Sequence, residues 1–330
     1  MNQVPTATRA DWPELPSSEW GETLETIHMW FQIVGKVRAT QAPWSNHSWS
    51  SPLYVTSRGL TTSPIPYGGR TFQIDFDFVD HRMPIHVSDG RTSVVPLRPQ
   101  SVKAFYHTLF EALERLGIEL SIHGAPNEVP DPIPFAENEV NASYDREHAR
   151  KLWQAMVQAD RVLNAFRARY IGKASPVHFF WGGPDIAVTR FSGRLAPEHP
   201  GGIPNLPDVI TREAYSHELT SCGFWPGNRD APDPIFYAYA YPTPDGFSDA
   251  AVEPDAAFWL ADLGEFVLPY EAVRMSDAPD ETVDAFLQTT HDTAAALLGW
   301  DQEGLVREPG YRPLPRKPRR PIRDEGELGG

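Results

Sequence analysis

Three histidine-containing runs are the first places in this 330-residue sequence where side chains could do chemistry. His178 lies in the apolar run PVHFFWG. Burial there would displace its pKa, the setting of a ligand contact or a general base. His217-Glu218 sets a base beside an acid in HELTSC, but the second histidine of the zinc-enzyme HExxH pattern is missing. The segment reads as a strand, on which those two side chains point to opposite sides. Acid–base work by His178, His217 and Glu218, as in a hydrolase, is therefore one expectation. His47, His178 and Glu218 are donor types that one zinc would accept, yet their spacing does not require it, and no metal is assigned. Cys222 with His217 as base would form a nucleophilic pair; the alternative is a small buried hydrophobe.

A second group of residues points to binding. The run IVGK at Ile33–Lys36 returns as YIGK at Tyr170–Lys173, and a His and a Trp follow each: His47 and Trp49, then His178 and Trp181. Beyond each Trp the spacing is identical, giving Trp49, Pro52 and Arg58, then Trp181, Pro184 and Arg190. FQIDFD laid on YSHELT pairs Asp75 with Glu218. A fused duplication packed about a pseudo-two-fold axis would bring such pairs to one cleft. Arg58, Arg190, Lys36 and Lys173 would supply positive charge for an anionic ligand, and Trp49 and Trp181 its walls, with His47 and Asp75 alongside. The alternating FYAYAY places Tyr237, Tyr239 and Tyr241 on one face, which with Trp181, Phe224 and Trp225 would wall an aromatic pocket. Neither a P-loop, a GxGxxG turn nor a GxSxG elbow occurs, and no cofactor is assigned.

The elements that must position these residues follow from spacing. Leu24, Ile27, Phe31 and Val34 recur at three and four residues and predict a helix from Trp20, closed by Gly35. FQIDFDFV alternates as a half-buried strand that turns Asp75 and Asp77 to one face, and shorter strands are expected at Pro84–Val87 and Ser93–Leu97. Ser101 caps a helix to about Leu116. Further helices are expected at about Asp145–Ile171, ended by Gly172, and at about Glu281–Leu298. The expected organisation is an extended lead-in (1–19), a first repeat (20–122), a Pro-rich linker (123–145), a second repeat (146–306) and a disordered basic tail (307–330). The fold class is α+β: two tandem helix–strands–helix repeats with mostly antiparallel sheets, packed as one pseudo-symmetric body.

Composition narrows the function. Proline is 33 of 330 residues, about twice the usual share of ~5%, which excludes an all-helical bundle. A net charge of −15 repels phosphate backbones, so no nucleic-acid partner is expected. One cysteine excludes an intrachain disulfide, and the absence of a long apolar run argues against a membrane. A cytoplasmic protein is expected.

Several long runs carry a resemblance: PLYVTSRGLTTSPIPYGGRTFQIDFDF, GKASPVHFFWG, VTRFSGR and GFWPG, together with IVGK. Across about Trp12–Trp300 the chain resembles a bacterial domain-of-unknown-function family. That resemblance implies no activity, cofactor or catalytic residue. Residue chemistry alone leaves a small, anionic molecule bound in a cleft between the repeats as the leading function. A hydrolase is the alternative, and a protein-binding module with an exposed aromatic patch a third.

Overall fold

Apolar side chains on every side, rather than a single stripe, set the character of the first helix. The computed structural model describes residues 7–15, 17–203 and 205–307, so the basic run beyond Arg307 and the start of the lead-in lie outside the described residues. Helix α1 spans Ser17–Gln41 and runs straight through Gly35. Trp20, Leu24, Ile27, Trp30, Phe31, Ile33, Val34 and Val37 are all buried along it. A helix apolar all round belongs in the interior. The expected stop at Gly35 is thus corrected: this glycine is a site of close approach. A Cβ there would collide with the Trp181 indole.

The chain continues through β1 (Tyr54–Thr56), β2 (Gly59–Thr61), β3 (Ile65–Tyr67), β4 (Arg70–Asp77), β5 (Arg82–Val87), β6 (Thr92–Pro96) and α2 (Val102–Arg115). After a long connection come α3 (Arg146–Ala168), β7 (His178–Phe180), β8 (Asp185–Leu195), α4 (Asp208–Ala214), β9 (His217–Trp225) and β10 (Ile235–Tyr241). The described chain closes with β11 (Phe258–Leu260), β12 (Glu265–Pro269), α5 (Tyr270–Arg274), α6 (Pro279–Leu297) and α7 (Gln302–Leu305). Two antiparallel six-stranded sheets result, and the fold is α+β. The first has the order β1-β2-β4-β5-β6 with β3 beside β4; the second has the order β11-β12-β10-β9-β8-β7. None of these helices is long and apolar enough to cross a membrane.

Both sheets are built mostly of sequence-adjacent antiparallel strands and flanked by helices. Their edges meet at one antiparallel pair, Leu53 with Phe179, joined by two 2.9 Å backbone hydrogen bonds. Beneath them α2, α1, α3 and α6 pack in that order. Read outward from the seam, each side has two helices and a six-stranded sheet. The strand orders differ: β3 branches off beside β4 on one side, and β12 lies inside β11 on the other. The residue matches do not follow the elements. Arg58 falls in the β1–β2 turn, whereas Arg190 falls within β8. Trp49 precedes β1, whereas Trp181 follows β7. The shared Trp–Pro–Arg spacing is consequently no structural equivalence.

Aromatic side chains tie the layers. Phe31 meets Phe76 at 5.0 Å and Phe179 at 4.9 Å, so it touches both sheets. Trp30 stacks on Phe105 of α2 at 4.6 Å and on Tyr144 at 5.3 Å. Each such burial contributes about 1.5–3 kcal/mol. Ser101 accepts from Ala104 N as the cap of α2, as its position predicts. The Pro-rich 123–145 stretch, read as a linker, packs into the body instead: Phe135 and Tyr144 are buried. Helix α3 ends at Ala168, before Gly172. Gly172 packs against the Tyr170 ring and Leu305.

Candidate functional site

Strand alternation divides the second sheet into two unlike faces. Ile186, Val188, Phe224, Phe236 and Ala238 are buried on the face that packs on α3 and α6. The opposite face carries Asp185, Ala187 and Thr189 of β8, Ser221 of β9, and Tyr237 and Tyr239 of β10. These six form the floor of a cavity of about 360 Å³. Its walls come from both sides of the expected repeat boundary. The loop after α1 contributes Trp44, His47 and Trp49; Asn127 and Glu128 come from the 123–145 stretch; Trp181 and Tyr215 complete the ring.

The floor has a built polar centre. Tyr237 Oη donates to Asp185 Oδ2. Gly223 makes this reach possible, since a Cβ there would strike the Ile186 carbonyl oxygen and the Tyr237 phenol. Desolvation pushes the Asp185 carboxyl up to about 7; the Tyr237 bond opposes the shift, and the nearby Glu128 charge adds to it. Desolvation likewise raises Glu128, although that residue is exposed, and it pushes Glu265, beside the cavity, up to about 7. Asp185 and Glu265 are only partly buried, so solvent reaches carboxyls that the surrounding protein has largely dehydrated. Alongside, Tyr215 and Tyr239 share a hydroxyl hydrogen bond of 3.0 Å, and Thr189 and Ser221 another of 3.0 Å. Two further hydroxyls on the lining, those of Ser48 and of the buried Thr211, bond to no protein group.

Helix α1 holds one wall in place. His28, Gln32 and Lys36 recur every four residues and so share a face. His28 Nε2 lies 3.1 and 2.8 Å from the Trp181 and Gly182 carbonyl oxygens, donating to both. Gln32 bonds both ways with the Asn127 backbone at 2.8 Å, and Lys36 Nζ donates to Asn127 Oδ1. Trp181 is held by this row, by Gly35 and by its own Nε1–H donating to Ser51 O at 3.0 Å. Burial pushes the His28 pKa down to about 4, with the carbonyl bonds resisting, and pushes Lys36 down to about 8.

At the Phe191 end stands a basic pair. Lys173 Nζ donates to His47 Nε2 at 2.7 Å, and His47 Nδ1 donates to Ala214 O at 2.9 Å. Those two bonds assign the neutral Nδ1–H tautomer. Desolvation lowers both groups, and the Lys173 charge lowers His47 further. The Lys173 ammonium also lies over Phe191 at 4.8 Å and Trp49 at 5.3 Å.

Of the residues nominated from sequence, His47, Trp49 and Trp181 line this cavity, and Lys36 and Lys173 stand behind the lining, bonded to Asn127 and His47. Arg58 and Asp75 do neither. They border a separate hollow of about 420 Å³ on the first sheet. There Arg58 is bound to Asp77 at 2.9 Å and Asp80 at 2.8 Å. Arg190 is 1% exposed, under the second sheet, its guanidinium 3.3 Å from the Phe166 ring centre and donating to Phe166 O. The expected meeting of Arg58 with Arg190 is corrected accordingly.

The acid–base trio is not assembled either. His178 is wholly buried between Trp49 (5.9 Å) and Tyr54 (5.5 Å), and burial pushes its pKa down to about 3. His217 stands 6.3 Å from the His47 ring. Glu218 faces the other way, toward Arg194 at 2.7 Å and Trp300 Nε1 at 3.0 Å. Cys222 is buried on the helix-packed face, away from His217, and its thiol is pushed up to about 12. Among the described residues no group of three or more His, Cys, Asp or Glu could hold a metal ion.

Residues 12–307 match the family of unknown function DUF5996. The chain belongs to DUF5996. Neither the curated proteins nor the solved structures contain a match. In this DUF5996 member, the sequence reading missed Asp185, Glu128, Tyr215 and Thr211. Asp185 left a signal, as the acidic first residue of an otherwise apolar alternating strand after Gly-Gly-Pro. Glu128 left none, because its stretch has no periodicity.

Proposed function

We propose that this DUF5996 chain binds a small organic molecule in the cavity above the second sheet. The observation that carries the reading is the combination of a concave, aromatic-walled space of about 360 Å³ with convergent polar groups on its floor. Its size falls in the usual range for small-molecule sites, roughly 300–1,000 Å³. Ser48 and Thr211, whose hydroxyls lack protein partners, supply further bonding capacity. The anionic group expected from sequence would sit at the Lys173–His47 corner, since Arg58 and Arg190 lie elsewhere. The hydrolase reading has less support, because Glu218 lies on the opposite face of the sheet from His178 and His217, paired with Arg194. A reducing, cytoplasmic setting suits the one buried, unpaired Cys222.

Native mass spectrometry of protein purified from its own host tests the proposal. The expected result is a bound small molecule that is lost in Ala39→Phe, a helix position on the cavity lining. A parent protein that carries no ligand, or a variant that retains the same adduct, would overturn it.

A further inference from the structure

Several acidic groups that leave bulk solvent in this protein are met by arginine, although among the described residues Asp75, Asp160, Glu213 and Asp292 are not. Asp77 has Arg58 at 2.9 Å, Asp280 has Arg161 at 2.7 Å, and Glu218 has Arg194 at 2.7 Å. Asp284 is paired with Arg169 in the same way. Asp185 on the cavity floor, the exposed Glu128 on its lining and Glu265 beside it are met by no arginine. Among the described residues no ion pair reaches Asp185, Glu128 or Glu265, and the polar side-chain partner of Asp185 is the Tyr237 hydroxyl. One cationic candidate, Lys36, stands behind the wall, gives its ammonium to Asn127 and lies 5.6 Å from the Trp181 ring centre. The other, Lys173, is at the Phe191 end with His47.

An uncompensated carboxylate in a dehydrated site is costly unless a cation arrives with the ligand. The cavity is walled by aromatic side chains, Trp181 and Tyr215 among them, a class whose π-systems attract organic cations and tolerate their apolar remainder. Asp185 keeps one oxygen for Tyr237 and has lone pairs left for an N–H donor. Glu128 is placed against Gly182, on the same cavity lining.

Resting on the binding function proposed above, we infer that the cavity takes a protonated amine. Its ammonium is seated on the Asp185 and Glu128 carboxyls and its apolar part lies among the aromatic walls. The ligand class is an organic ammonium compound, recognised by charge-assisted hydrogen bonds at one end.

Isothermal titration of the purified full chain at pH 8 with benzylamine, benzyl alcohol and benzoate tests this. Parent protein, Asp185→Asn, Glu128→Gln and Ala39→Phe are compared, with a thermal melt of each to verify folding. Expected is tighter binding of benzylamine than of benzyl alcohol by roughly ten- to a hundredfold, the usual weight of a hydrogen bond to a charged group. That advantage should be lost in Asp185→Asn and reduced in Glu128→Gln, with benzyl alcohol changed less than about twofold. Equal affinity for amine and alcohol, or an amine affinity untouched by Asp185→Asn, overturns the inference. If those probes still bind and Ala39→Phe excludes them, the cavity reading survives that failure. If none of the three probes binds, or Ala39→Phe changes nothing, both readings fall.

Discussion

Replacing Asp185 by Asn should make the unliganded protein more stable at pH 8. Asn keeps an acceptor oxygen for the Tyr237 hydroxyl while removing a charge that the floor does not compensate. The carboxyl moves from 3.8 in the open chain to about 7 in the fold. Between those values the native state holds a proton that the unfolded state has released. Stability contributed by this group therefore falls as pH rises through the interval and is level above it. Unscreened, the shift would be worth about 4 kcal/mol at pH 8, from about 1.4 kcal/mol per pH unit. Asp185 is only half-buried and water enters the cavity, so an advantage of ~1–2 kcal/mol is expected. Urea denaturation of variant and parent at pH 8, 6 and 4.5 measures it. The advantage should shrink as pH falls. His28 and His178, held near 4 and near 3, titrate with the opposite sign, so each comparison is made at a single pH. Loss of stability on making Asp185→Asn at pH 8 would refute the reasoning, because the carboxylate would then have a compensating partner.

Three other outcomes are expected. Gly35→Ala places a methyl group into the Trp181 indole and should cost about 1–3 kcal/mol, with a changed near-ultraviolet circular dichroism spectrum as Trp181 shifts. Arg190→Met should hold melting stability within about 1 kcal/mol of the parent or raise it, since two guanidinium nitrogens have no protein partner; unchanged benzylamine titration would place Arg190 outside the site. Phe31→Ala removes a ring packed on both sheets and should cost about 3–5 kcal/mol in urea denaturation.

Periodicity made much of the fold legible. The alternation in FQIDFDFV gave β4, the Ser101 cap gave α2, and FYAYAY gave the two unlike faces of β10. Gly35 misled because a glycine's local preference for helix ends was overridden by a contact made 146 residues away in sequence, with Trp181. Three binding candidates, His47, Trp49 and Trp181, line the cavity, and Lys36 and Lys173 bond to its lining residues. Arg58 and Arg190 do neither, since equal spacing in sequence fell on unlike elements. Helix α1 offered a signal that went unused: His28, Gln32 and Lys36 lie at four-residue intervals in an otherwise apolar helix. Glu128 could be found only after folding.

Among the described residues, two main-chain bonds stitch one sheet to the other, at Leu53 and Phe179. So short a stitch leaves the setting of the sheets largely to packed side chains, Phe31 of α1 against both sheets and those where α1 meets α3 among them. The loop bearing Trp44 and Trp49 hangs from the end of α1, whereas the floor belongs to the far sheet. A methylene added or removed at that helical junction would thus change the width of the chamber, and the size of guest it admits, without altering any residue on its surface.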